Sequence, residues 1–207
     1  MPADRSDEAE RSALETELCR LCERDDYERA ATRAIEGYGP ELLGYLHAMA
    51  PTTADAEDLY ADLCERMWRH LPGFRWQSSF RTWAYTVARN LLRSDLRVKR
   101  ARKLVSLSTS AQEKLAEQIR TTTALHLKSA SKSRLEQVRQ SLEPDDRTLL
   151  ILRVDRKLPW REVARVFADD EESSPQELAR LTASLRKRFE RLKDKLRSEM
   201  NAGRSDA

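Results

Sequence analysis

The residues with the clearest chemical potential lie between positions 74 and 100, in the stretch FRWQSSFRTWAYTVARNLLRSDLRVKR. Aromatic and basic side chains alternate there, and Asp95 is the single acid. Aromatic rings can stack on unpaired bases, and arginines can bind the phosphate backbone. The stretch therefore predicts a surface that binds a melted nucleic-acid strand. The alternative is a core helix with a charged, solvated back.

A helix that begins near Phe80 would give this stretch two different faces. Phe80, Trp83, Val87 and Leu91 recur every three or four residues, so we expect that stripe to pack in a core. The other face carries Arg81, Tyr85, Arg89, Arg93 and Arg97 one turn apart, with Trp76 and Asn90 as further candidates for contacts to unpaired bases. A solvated helix would normally include acids to offset such repulsion, so this face is predicted to bind a polyanion.

The length and composition of the chain limit which folds can position these residues. The chain has 207 residues, 40% of them hydrophobic and 35% charged, with seven prolines, five glycines and few β-branched runs. This length allows two small domains, and this composition favours helices over sheets. We predict an all-α protein with two small helical domains joined by a flexible linker.

Charge is distributed unevenly along the chain. Residues 1–50 carry six basic and twelve acidic side chains, whereas residues 51–134 carry sixteen basic and eight acidic ones. The asymmetry predicts one acidic and one basic partner surface.

Apolar runs and cysteines indicate the compartment. No apolar run approaches the roughly 20 residues that span a bilayer, and the polar start lacks a secretory signal, so we expect a cytoplasmic protein without membrane insertion. The three cysteines, Cys19, Cys22 and Cys64, are expected to be reduced thiols. Cys19 and Cys22 form a CxxC, for which core packing is favoured over a metal or redox site because further ligands at a useful spacing are lacking.

Sequence motifs of enzymes do not occur. There is no Gly-rich phosphate loop, no HExxH and no nucleophile elbow. We predict neither catalytic residues nor a metal or other cofactor.

The first domain is predicted to span residues 14–102 and to contain four helices. Two lie between residues 14 and 50, with a break near Gly37, Gly39 and Pro40. A third begins after Pro51, at Thr52 or Thr53. Its apolar stripe comprises Leu59, Leu63 and Met67, widened by Tyr60, Cys64 and Trp68. The turn PGF at 72–74 ends it, and the basic helix follows.

Residues 103–133 are rich in Ser, Thr and Lys and are predicted to form the linker. The second domain, 134–200, has a helix restarting after Pro144, a short amphipathic helix in LPWREVARVF, and a capping box made by Ser174, Pro175 and Glu177. A basic helix follows that box. This order is typical of a helix-turn-helix DNA-binding domain.

Several of these segments resemble a known family. ADAEDLYADLCERMW at 54–68 and the following LPGFRWQSSFRTWAYTVARNLLRSDLRVKR resemble region 2 of bacterial sigma factors of the extracytoplasmic-function type, the small initiation factors of RNA polymerase. LEQVRQSLEPDDRTLLILRV, LPWREVARVF and LRKRFERLKDKLR resemble region 4. The resemblance covers residues 14–102 and 134–199.

The resemblance implies partners and site residues. It implies binding to core RNA polymerase, to duplex DNA at the −35 element and to melted DNA at the −10 element, and by analogy to an anti-sigma factor. The implied polymerase-binding residues are Glu57, Asp58, Asp62 and Glu65. The implied −10 residues add Arg75, Ser78 and Ser79 to those of the basic face. The implied −35 residues are Ser184, Arg186, Lys187, Arg188 and Arg191.

Two alternatives stay open. The C-terminal segments alone would also suit a stand-alone helix-turn-helix regulator, which binds duplex DNA without polymerase. In addition, ADDEESSPQELARLT at 168–182 intervenes where the family has a short turn. Either the recognition helix is lengthened at its N-terminus or a separate short helix precedes it.

Overall fold

The computed structural model describes residues 3–105, 139–168 and 173–202, and within these ranges it is helical without any strand. The predicted all-α fold is confirmed. The described helices are α1 (Ala3–Cys22), α2 (Tyr27–Met49), α3 (Thr53–His70), α4 (Phe80–Val105), α5 (Pro144–Leu150), α6 (Trp160–Phe167) and α7 (Pro175–Ala202). Helices α1–α4 pack together as an N-terminal unit, and α5–α7 form a C-terminal unit.

The predicted break near Gly37 is wrong, because α2 runs without interruption from Tyr27 to Met49 through Pro40. The break lies at residues 23–26, where Asp25 has a φ of 57°. Asp26 caps α2, its carboxylate accepting from the Arg29 amide at 3.4 Å. Short polar residues are favoured at such caps and in left-handed backbone.

Helix α3 begins as predicted. The Thr52 hydroxyl accepts from the Asp55 amide at 3.1 Å, and the 3₁₀ turn Leu71–Gly73 follows the helix at its end. Leu59, Leu63 and Met67 are buried against the other helices of the unit. Trp68 is 50% exposed, so it does not widen this stripe as predicted.

Helix α4 begins against a carboxylate from α1. Glu15 accepts hydrogen bonds from the amides of Phe80 at 2.7 Å and Arg81 at 3.0 Å, and from the Tyr38 hydroxyl at 2.7 Å. The first amides of a helix lack partners within the helix and favour a negative charge. Glu15 thus fixes the start of the basic helix.

The apolar stripe of α4 lies in the core as predicted. Phe80, Trp83 and Leu91 are buried, and Val87 packs against the core at partial exposure. Phe80 and Trp83 have ring centroids 5.2 Å apart.

The C-terminal unit matches the sequence expectations where it is described. A helix restarts at Pro144 and continues as a π-helical segment, Ile151–Asp155. Val163, Ala164 and Phe167 of α6 are buried. Most of the predicted linker and the predicted start of the second domain at residue 134 lie outside the described residues. Helix α4 continues past the predicted end of the first domain at residue 102 to Val105.

The capping box before α7 forms in both directions. The Ser174 hydroxyl accepts from the Glu177 amide at 3.3 Å, and the Glu177 carboxylate accepts from the Ser174 amide at 2.7 Å. The second bond lowers the pKa of Glu177. Helix α7 then runs unbroken from Pro175, so among the described residues no separate short helix lies between α6 and the predicted recognition helix.

The three cysteines are free thiols and half-buried. Burial raises the pKa of Cys22 to about 11 and also raises that of Cys64. Such thiols are poor nucleophiles near neutral pH. No helix among the described residues is both long enough and apolar enough to cross a bilayer.

Candidate nucleic-acid interface

One face of α4 carries Arg81, Tyr85, Arg89, Arg93 and Arg97, which we term the basic row. The row starts beneath the C-terminal unit and ends in solvent. Its first members, Arg81, Tyr85 and Arg89, are covered or nearly covered, whereas Arg93 and Arg97 are exposed. Helices α4 and α6 are in contact along the covered part.

Arg81 forms a half-buried ion pair within the N-terminal unit and reaches the C-terminal unit through a hydrogen bond. Its Nε donates to the Glu41 carboxylate at 2.6 Å, and its Nη2 donates to the carbonyl of Arg156 at 3.1 Å. Arg156 in turn donates from Nη2 to the carbonyl of Glu41 at 3.1 Å. The three residues form a closed ring of contacts, which we term the Arg81 ring.

Tyr85 is fully buried and cannot stack on a base in this arrangement. Its ring meets the edge of Tyr45 with centroids 5.3 Å apart. The Tyr45 hydroxyl lies 3.1 Å from that of Thr148 on α5, in a hydrogen bond that links the units. Burial raises the pKa of Tyr85, so its hydroxyl stays protonated.

Arg89 points into the boundary between the units, with only 6% of its side chain exposed. Its Nη2 donates to the Asp145 carboxylate at 3.0 Å. Its guanidinium lies over the Phe167 ring, 4.3 Å from the centroid. Stacking on a ring and pairing with a carboxylate together offset part of the cost of burying a guanidinium charge.

The prediction that Arg81, Tyr85 and Arg89 form an exposed face is therefore wrong for this arrangement. The acids that offset their charge are supplied by other helices, Glu41 by α2 and Asp145 by α5. Sequence spacing along α4 cannot reveal partners so remote in the chain.

The loop before α4 is folded against the core. Trp76 has a φ of 56° and its ring lies 4.9 Å from that of Phe74. A bulky residue rarely adopts this left-handed conformation, which is often found at functional sites. The Ser79 hydroxyl caps α4 by accepting from the Thr82 amide at 3.1 Å, and Ser78 donates to the Ser79 carbonyl.

Exposed polar residues of the predicted −10 set lie at the two ends of the covered segment. Asn90, Arg93 and Arg97 are exposed on α4, and Arg75 is exposed in the loop. Together they leave part of the predicted surface open while its centre is covered.

Helix α7 presents most of the predicted −35 residues to solvent. Ser184, Arg186, Lys187 and Arg191 are exposed. Arg188 is turned toward α5, with its Nε 2.5 Å from the Asp146 carboxylate. Leu185, Phe189 and Leu192 anchor the opposite side of the helix in the core.

The four acids predicted to bind polymerase all lie exposed on α3. Glu65 pairs with Arg69 at 2.6 Å. The exposed Trp68 follows them in the last turn, so an apolar ring lies at the end of an acidic face. Sequence reasoning had placed that ring in the core.

Metal ligands are not gathered anywhere in the residues that the structure describes. Core packing was predicted for the CxxC. Cys22 does pack against the apolar cluster, whereas the Cys19 thiol lies 3.7 Å from the Glu23 carboxylate.

Comparison with known protein families gives a match to the sigma-70 region 2 domain over residues 34–102. This segment runs from within α2 to near the end of α4 and includes the basic row, the preceding loop and the acidic face of α3. Residues 34–102 thus form a sigma-70 region 2 domain. The region 2 domain predicted from the sequence is thereby confirmed, and it supports a sigma factor function in general terms.

A solved structure shares the fold of this chain. The sigma factor RpoE from Bartonella quintana, crystallised with the anti-sigma factor NepR, aligns over 82% of this chain and 96% of its own, with a TM-score of 0.60 and 17% identity. The likeness fits the predicted two-domain helical architecture. No curated protein sequence matches the chain significantly.

Sequence reasoning missed several residues that organise the interface. None of Glu15, Glu41, Asp145 and Asp146 is among the site residues predicted from the sequence. Acids are common in the first turn of a helix because they interact favourably with its dipole. The sequence therefore does not reveal that such an acid also pairs with a remote arginine.

Proposed function

We propose that this chain is a sigma factor of the extracytoplasmic-function type that binds core RNA polymerase, recognises −35 and −10 promoter elements and promotes strand opening at the −10 element. The observation that carries the proposal is the pair of exposed arginines, Arg93 and Arg97, on α4 within the region 2 match. A factor that binds an unstacked base shifts the duplex toward the melted state without covalent chemistry.

The −10 contacts would come from α4 and its preceding loop. Arg93 and Arg97 would bind phosphates, and Asn90 offers an amide for a base edge. Trp76, held in a left-handed backbone conformation, would be the ring available for stacking near the start of α4. Arg81, Tyr85 and Arg89 would join this surface only when the C-terminal unit moves away.

The −35 contacts would come from α7. Ser184, Arg186, Lys187 and Arg191 are exposed on the helix that follows α6 in helix-turn-helix order. Arginine can donate two bonds to a guanine edge in the major groove, and each good bidentate pair discriminates by about 1–3 kcal/mol. Arg188 would first have to leave Asp146.

The acidic face of α3 supports the proposed polymerase contact. Glu57, Asp58, Asp62 and Glu65 would pair with a basic surface of the polymerase, and Trp68 would add apolar area beside them. By likeness to RpoE, which was crystallised with NepR, an anti-sigma factor is proposed as a further partner.

Promoter binding with and without polymerase tests the proposal. Purified chain is incubated with a promoter from the same genome, with or without core enzyme, and complexes are resolved by gel shift and probed with permanganate for unpaired thymines. We expect polymerase-dependent binding and reactivity at the −10 element. Equal binding without core enzyme and no unpaired thymines would instead indicate a stand-alone regulator.

A further inference from the structure

Two neighbouring acids bind one arginine from each predicted DNA-binding surface. Asp145 accepts from Arg89 of α4 at 3.0 Å and lies 4.0 Å from Arg188 of α7. Asp146 pairs with Arg188 at 2.5 Å. Both acids lie in the first turn of α5.

We infer that Asp145 and Asp146 form an acidic latch that holds both DNA-binding surfaces back until DNA phosphates replace the carboxylates. The inference rests on the proposed function, because it assigns Arg89 and Arg188 to DNA. A carboxylate and a phosphate compete for the same guanidinium geometry. While the latch is engaged, Arg89 stays beneath the C-terminal unit and Arg188 stays turned toward α5.

The rest of the boundary positions the latch. The Arg81 ring fixes the turn after the π-helical segment against α2, and the Tyr45–Thr148 bond fixes α5 against the same helix. Arg147, the residue after the latch, donates to the carbonyl of Ala48 at 3.3 Å. These contacts place Asp145 next to Arg89 and position the C-terminal unit over the first part of the basic row.

When the latch is closed, only part of the hydrogen-bonding capacity of the Arg89 guanidinium is satisfied. Its Nε and Nη1 are buried without a hydrogen-bond partner among the described residues. Buried N–H groups without partners oppose the closed arrangement. A phosphate reaching an uncovered Arg89 could accept from several of its N–H groups. Asp145 remains 41% exposed, so the pair can be reached by a competing anion.

The arrangement also explains how one event could release two surfaces. Since Asp145 and Asp146 are adjacent in α5 and hold Arg89 and Arg188, displacement of both carboxylates frees the two arginines at once. Separation of the units on polymerase would have the same effect.

The test compares the D145N/D146N variant with wild type as free chains. Asparagine keeps the shape and removes the charge, so the fold of each unit is retained, which circular dichroism checks. Small-angle X-ray scattering reports compactness, and anisotropy of a short fluorescein-labelled DNA duplex of random sequence reports binding. E143Q/D155N is the matched control, because it removes two charges from the same unit without touching the boundary.

The latch predicts a larger radius of gyration and about tenfold tighter duplex binding for D145N/D146N, since the competent fraction of the free chain rises. The control should stay compact and bind within about twofold of wild type. Unchanged compactness, or expansion without tighter binding than the control, would overturn the latch. In assembled holoenzyme, wild type and D145N/D146N should open the same promoter equally.

The holoenzyme arm separates the two claims. If wild-type holoenzyme opens no promoter, the proposed function fails, and the scattering and duplex measurements on the free chain still decide the latch. If it opens promoters and the free D145N/D146N chain behaves like the control, only the latch fails.

Discussion

Glu15 and Phe80 lie 65 positions apart in the chain, yet the Glu15 carboxylate accepts a hydrogen bond from the Phe80 amide at 2.7 Å. This contact places an acid from α1 at the start of the helix that carries the basic row. The orientation of the candidate DNA surface therefore depends on a residue outside the region 2 match, which begins at residue 34.

Replacing Glu15 by alanine should destabilise the N-terminal unit. The change removes the acceptor for two α4 amides and for the Tyr38 hydroxyl, and loss of a helix cap typically costs about 0.5–2 kcal/mol. Urea denaturation followed by circular dichroism measures the loss. Glu17→Ala is the control on the same helix, because Glu17 pairs with the exposed Arg33 and its loss should destabilise the unit far less. Equal losses for both variants would contradict the capping role.

The Tyr45–Thr148 bond should couple the two units energetically. Thr148→Val leaves the buried Tyr45 hydroxyl without its partner, at a cost of about 1–3 kcal/mol, whereas Y45F/T148V removes both polar groups and should cost less than the sum of the single changes. A double-mutant cycle compares the free energies of unfolding in urea of both single variants and the double variant, and it gives the coupling free energy between Tyr45 and Thr148. Strict additivity would show that the units do not pack in solution as described.

Cys22 should react slowly with iodoacetamide near neutral pH. Burial raises its pKa from 9.0 to about 11, so the folded chain holds little thiolate at pH 8. The rate should rise steeply between pH 9 and 11. Because the folded pKa is raised, the protonated thiol's contribution to stability is complete below pH 9 and is lost as the pH approaches 11. Reaction of the native chain at pH 8 as fast as in urea would contradict the burial.

The exposed end of the basic row should set the salt dependence of promoter binding. R93A/R97A should weaken open-complex formation and lower the slope of log K against log salt by about 0.9 per lost phosphate contact. Arg29→Ala is the control, since Arg29 is exposed on α2 outside the row. A slope equal to that of wild type would remove these arginines from the DNA contact.

Charge reversal on α3 should separate polymerase binding from folding. Asp58→Arg or Asp62→Arg places a positive charge on an exposed acidic face, so co-purification with core polymerase should be lost while helicity is retained. Glu36→Arg, on α2, is a comparison at an exposed acid outside this face. Normal co-purification of both α3 variants would refute the assignment.

Local signals in the sequence predicted the elements well. The Thr52 cap, the Ser174–Glu177 box and the Phe80 stripe each depend on residues within a few positions of one another, and all three occur as predicted. The region 2 assignment also followed from a continuous stretch. Such features need no knowledge of the rest of the fold.

Remote packing accounts for the failures. Gly37 and Gly39 were interpreted as a turn, but they lie within α2 against Leu14 and Tyr60, where a side chain would collide. They permit close helix packing and do not end the helix. Arg89 was assigned to solvent because its acid, Asp145, is 56 positions away. The covered centre of the candidate site could therefore be recognised only from the three-dimensional structure.

Transcription with purified core RNA polymerase tests the central claim most directly. Core enzyme with and without this chain is given a library of genomic fragments, and the 5′ ends of the transcripts are sequenced. The account predicts new start sites that share −35 and −10 elements and appear only when the chain is present. Identical start sites in both reactions would contradict it.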